Sequence, residues 1–65
     1  MLTTDELIDT LESEADTWLR VADRARLAGS LSDGWQAREL KRTRREANDV
    51  AAALINAAHA LNKAS

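Results

Sequence analysis

The second half of the chain, residues 33–63, is typical of one long α-helix that no proline interrupts. Its small and apolar residues recur at alternating steps of three and four, which places them on one seam along a helix. At 1.5 Å per residue such a helix runs roughly 45 Å, too long for an ordinary 65-residue globule to bury. We therefore expect the first half of the chain to pack along this seam. The seam consists of Leu40, Thr43, Ala47, Val50, Leu54, Ala57, Leu61 and Ala64.

The first half predicts a second amphipathic helix, from about residue 4 to residue 28. Thr3 and Glu6 have the spacing of a capping box at its start, and Gly29 is expected to end it in a left-handed conformation. The short connection that follows favours an antiparallel turn, after which Asp33 or Ser32 caps the next helix. Its seam is formed by Ile8, Leu11, Ala15, Trp18, Ala22 and Ala25.

These patterns predict an all-α fold: a two-helix antiparallel hairpin, about 4–28 and 33–63, in a single domain spanning 1–65. Folding the chain back at Leu31 places Ala22 opposite Leu40 and Trp18 opposite Thr43 and Arg44. Trp35 is then expected to close the loop end of the core together with two leucines. Those leucines are Leu27 and Leu31.

The composition predicts a thin core. The chain has 65 residues, of which 45% are hydrophobic, and thirteen of these are alanine. A chain this short buries only about 60% of its unfolded surface, and without cysteine it has no disulfide to compensate. We therefore expect two hairpins to pair as a homodimeric four-helix bundle. The candidate dimer interface consists of Leu19, Val50, Leu54, Ile55, Ala58 and Leu61.

Charge is unevenly distributed along the chain. Residues 1–19 carry −6, residues 20–46 carry +4 and the remainder is neutral, which gives the net charge of −2. The basic residues favour three interpretations: a solvated surface, ion pairs with the acidic stripe of a second copy, or a surface that contacts a partner or nucleic acid. The candidate contact residues are Arg24, Arg38, Lys41, Arg42 and Arg45.

No pattern indicates catalysis. The single histidine, His59, lies among alanines, and no cysteine or Glu-x-x-His spacing suggests a metal or cofactor site. We therefore expect no enzyme activity, no cofactor and no small-molecule substrate. Because no apolar run approaches the length of a membrane span and no signal-like leader stands at the start, we expect a cytoplasmic protein that does not enter a membrane.

These features favour a small regulatory protein that binds and inhibits a larger protein, of the kind that phages and mobile elements encode. The first alternative is an RNA- or DNA-binding regulator that uses the basic loop end. In size and topology the chain resembles the plasmid repressor-of-primer family, whose homodimeric helical hairpins bind paired RNA loops; the resemblance implies a dimer and an RNA partner. The second alternative is a structural or assembly protein.

Overall fold

Two long antiparallel helices form the whole fold. A computed structural model describes residues 2–64, in which α1 spans Thr4–Ser30 and α2 spans Gly34–Ala64. The helices pack against each other along their length and give a rod of 47 × 15 × 14 Å. The structure thus confirms the predicted all-α hairpin. The first helix begins at the expected residue, and the other three helix boundaries lie one or two residues later in the sequence than expected.

The start of α1 is fixed by Thr3. Its hydroxyl oxygen accepts a hydrogen bond from the backbone N–H of Glu6 at 3.2 Å, and the Thr3 hydroxyl lies 3.0 Å from Oε1 of the Glu6 side chain. The Thr3 carbonyl accepts the first helical bond, from Leu7 at 2.9 Å. The predicted cap is therefore confirmed.

The prediction that Gly29 ends α1 is wrong. Gly29 lies inside the helix, and within residues 2–64 the residue with positive φ is Gly34, at 62°. The last carbonyls of α1 find other donors: the Ser30 hydroxyl donates to Leu27 at 2.7 Å, and the Ser32 hydroxyl donates to Ala28 at 2.8 Å. Ser32 thus closes α1, and the left-handed residue needed to reverse the chain comes at the start of α2.

The contact between the helices is made of alanine. Every described residue that is buried is an alanine, at 6% exposure or less, and none of the large apolar side chains is fully buried. Alanines at steps of three, four and seven let the two backbones approach closely, because no long side chain holds them apart. The buried residues are Ala15, Ala22, Ala25, Ala47, Ala51 and Ala58.

The register differs from the predicted one by one heptad. A Cβ placed on Gly29 would lie 3.7 Å from Cβ of Leu40, so Leu40 faces Gly29 and not Ala22. Residues whose numbers add to about 69 therefore lie at the same height, which brings Trp18 level with Ala51. Both seams repeat every seven residues, so a slip by one heptad preserves the apolar pattern. The contact between Leu40 and Gly29 identifies which of the two registers the helices adopt.

The α2 seam is confirmed in part: Ala47 is buried as predicted, but other members of the predicted seam are not. Ala51 and Ala58 are buried, whereas Thr43, Val50 and Ala57 are exposed. The seam thus turns by part of a helical face toward Ala51. Both candidate seams have three-four spacing, and only the close approach of the helices selects the one with the smaller side chains.

Candidate partner-binding surfaces

The line of contact between the two helices separates the surface of the hairpin into two long faces, and the two faces differ. Shallow grooves run along one side, where Ile55 and Asn48 of α2 come close to residues of α1 such as Ala15 and Ala22. Val50 lies five residues before Ile55 and so points roughly 140° away around α2, at 100° per residue. It therefore belongs to the other side. We call these the groove side and the strip side.

The strip side carries seven of the fifteen Leu, Ile, Val and Trp side chains in the described residues. Leu7, Trp18 and Val50 are 37–39% exposed there, and the remaining members of the row are half-buried. Helical spacing aligns them into one row along each helix, next to the alanine contact. We call this row the apolar strip; it comprises Leu7, Leu11, Trp18, Val21, Val50, Leu54 and Leu61.

The residues predicted for a dimer interface do not form one surface. Ala58 is 1% exposed and buried inside the hairpin, so its assignment to a contact between copies is wrong. Val50, Leu54 and Leu61 belong to the apolar strip. Leu19 and Ile55 lie on the groove side. The sequence pattern identified apolar positions correctly but merged two faces that the close packing of the helices separates.

A basic groove lies near the loop end of the groove side. It encloses about 260 Å³, and its walls carry the cationic side chains of Arg26, Lys41 and Arg44. Arg26 already donates to the Asp23 carboxylate at 2.9 Å, whereas neither Lys41 nor Arg44 has a carboxylate within 4.0 Å among the described residues. The floor is formed by small residues, Ala25, Gly29 and Ala37.

The other predicted contact residues are all exposed, but their charges are not equally available. The Arg42 guanidinium lies 3.7 Å from the Glu39 carboxylate and 3.4 Å from that of Glu46 on its own helix. Across residues 2–64, no comparable ion pair engages the remaining cations of the set. The sequence pattern treated Arg42 as equivalent to them. The cations without such a pair are Arg24, Arg38, Lys41 and Arg45.

Three large apolar side chains are exposed at the loop end itself. Leu27 is 51% exposed, Leu31 90% and Trp35 66%. The prediction that they close the core is therefore wrong. Leu31 is the C-cap of α1 and Trp35 is the second residue of α2, so both lie at the turn that joins the helices. We call these three residues the loop-end tip.

The opposite, open end has a groove of about 430 Å³ on the groove side. Ile8 and Ile55 provide apolar lining, and His59 faces the same space as Glu12 and Asp16. In the described part of the chain, no three acidic or histidine side chains are grouped as metal ligands. Neither helix, as far as residues 2–64 define it, is both long and apolar enough to cross a membrane.

Similarity to known proteins adds no further constraint on these surfaces. Compared with protein-family models, with curated proteins and with solved structures, the chain has no significant match to any of them.

Proposed function

We propose that this protein is a non-enzymatic regulator that binds a larger protein through its loop-end tip and inhibits it by covering the bound surface. The observation that carries the proposal is the exposure of Trp35, Leu31 and Leu27 at one end of a narrow rod. Trp35 is the strongest anchor among them, because tryptophan is enriched among the residues that dominate binding energy.

The charges around the tip define the kind of partner that fits. Arg24 precedes Leu27 by one turn, and Arg38 and Lys41 follow Trp35 by one or two turns. Apolar anchors with a cationic rim match a partner surface that has an apolar pocket bordered by carboxylates, because the anchors supply affinity and the rim speeds and orients the encounter. The regulator is expected to act in the cytoplasm.

The test is capture of partners from nuclease-treated host lysate by the immobilised protein and by Trp35→Ala. We expect a discrete protein to bind and its affinity to fall about thirtyfold or more in the variant, as for a hot-spot residue. Leu2→Ala is the matched control, since Leu2 is also an exposed large apolar residue but lies at the open end. Equal capture by the wild-type protein and Trp35→Ala would exclude the tip as the docking site.

A second candidate, binding of RNA or DNA, is favoured by the basic groove. Lys41 and Arg44 face a space with a floor of small residues and are not neutralised by a carboxylate. Such cations contact phosphates and make affinity depend on salt. The net charge of −2 opposes non-specific binding of polyanions, so this candidate requires a shaped nucleic acid and stands second.

Charge-removing variants distinguish the two candidates. If nucleic acid copurifies from untreated lysate, Lys41→Gln with Arg44→Gln is expected to lower the salt dependence of its binding by about two units in log–log slope. Arg42→Gln is the matched control, because two carboxylates on its own helix already engage that cation. Nucleic acid that binds all three proteins equally would show that the basic groove is not its site.

A further inference from the structure

We propose that the apolar strip is covered by a second copy of this chain, with the two hairpins antiparallel, so that the basic groove and both loop-end tips remain free on the outside of the dimer. The first argument is the small size of the core within one hairpin. Its six buried residues are all alanine, and burying a side chain of one methyl group removes little apolar area. A rod with this core needs its larger side chains covered to be stable.

The size of the strip side suits a dimer. A contact along one 47 × 15 Å side removes roughly 700 Å² from each copy and about 1,400 Å² in total, within the range of stable, specific interfaces. The row runs along both helices at heptad-like spacing, which suits packing against two further helices. Trp18 and Val50 lie near the middle of the rod, where a two-fold axis brings each copy's Trp18 close to the axis.

The charge at the two ends sets the orientation. The six acidic residues between residues 5 and 16 lie in the open-end half of the rod, and the cations between residues 20 and 46 lie toward the loop. Antiparallel hairpins bring the −6 segment of each copy beside the +4 segment of the other, whereas parallel hairpins bring like charges together. The arrangement also leaves the groove side facing solvent, because it is opposite the strip.

Substitutions at two positions of similar exposure test which face of the hairpin forms the dimer contact. Val50 is 38% exposed on the strip and Leu19 is 42% exposed on the groove side. By sedimentation equilibrium we expect a wild-type mass twice the 7.1 kDa of the chain. Val50→Asp should weaken association at least about a hundredfold, since each dimer buries two unpaired charges, while Leu19→Asp should remain a dimer. A dimeric Val50→Asp, or a monomeric Leu19→Asp that is still folded, would overturn the choice of face.

The wild-type fold provides a test that does not depend on a destabilising variant. If dimer formation stabilises the hairpin, its Tm must rise with protein concentration. A monomeric mass and a Tm independent of concentration would overturn the proposal. A wild-type monomer that captures another protein through Val50 but not through Leu19 would assign the strip to that protein, which also contradicts a second copy.

Orientation is tested with one spin label. The chain has no cysteine, so Leu31→Cys provides a single labelling site at a side chain that is 90% exposed. In the antiparallel dimer the labels are separated by about the 47 Å length of the rod. In a parallel dimer they lie side by side, and a short distance would refute the antiparallel order.

Discussion

Gly29 and Leu40 face each other across the helix pair, with 3.7 Å between Cβ of Leu40 and the position that a Cβ of Gly29 would occupy. This is an ordinary van der Waals separation, so the contact has room for one more methyl group. Gly29 is helical, and a glycine inside a helix costs about 1 kcal/mol relative to alanine. The glycine therefore weakens α1 without being required by the packing.

We expect Gly29→Ala to raise the free energy of unfolding by about 0.5–1 kcal/mol. Gly34→Ala should have the opposite effect, because Gly34 has φ 62° and a left-handed residue with a Cβ costs about 1–2 kcal/mol. Urea denaturation followed by circular dichroism measures both. A loss of stability in Gly29→Ala would contradict the space observed at Leu40.

The cap of α1 gives a second prediction. Thr3→Ala removes the acceptor for the Glu6 N–H and should lower stability by about 1 kcal/mol. Thr17→Ala is the control, since the Thr17 hydroxyl bonds only to the Ser13 carbonyl of its own helix and alanine favours helix more than threonine. Thermal melts at matched concentration should place Thr3→Ala below, and Thr17→Ala at or above, the wild-type Tm.

The contact between the buried alanines of the two helices gives a third prediction. Ala51 is 1% exposed between the helices, and leucine at that position should cost about 1–3 kcal/mol by forcing the backbones apart. Ala52→Leu adds the same atoms at the adjacent exposed position and should change stability by less than about 0.5 kcal/mol. If the two variants melted at the same temperature, the helices would not be held at the close approach described above.

The hairpin was predictable from the sequence because long three-four patterns, a capping threonine and a short polar connection act locally. The register was not, since both seams repeat every seven residues and registers one heptad apart align the same apolar positions. The contact between Leu40 and Gly29 shows which register is adopted. The exposure of Trp35 was not predictable either. An aromatic residue near a turn can lie in the core or on the surface, and the structure shows that Trp35 is exposed.

The candidate contact surface was predictable in part. Clustered cations near the loop could be read from the sequence, but spacing alone did not show that Arg42 is engaged by Glu39 and Glu46. It also did not show that Arg44 shares a groove with Arg26 across the helix contact. The proximity of Arg44 to Arg26 depends on the register of the two helices, and the sequence pattern does not distinguish registers that differ by one heptad.

The all-alanine contact also shapes how such a protein can evolve. Close pairing of the helices involves six buried alanines and the contact between Leu40 and Gly29. Substitutions at the exposed residues of the loop-end tip leave these contacts unchanged. If the tip binds a partner as proposed, selection for binding therefore acts on different residues from selection for folding. On that proposal, a few changes near residue 35 are enough to exchange one target for another while the rod is retained.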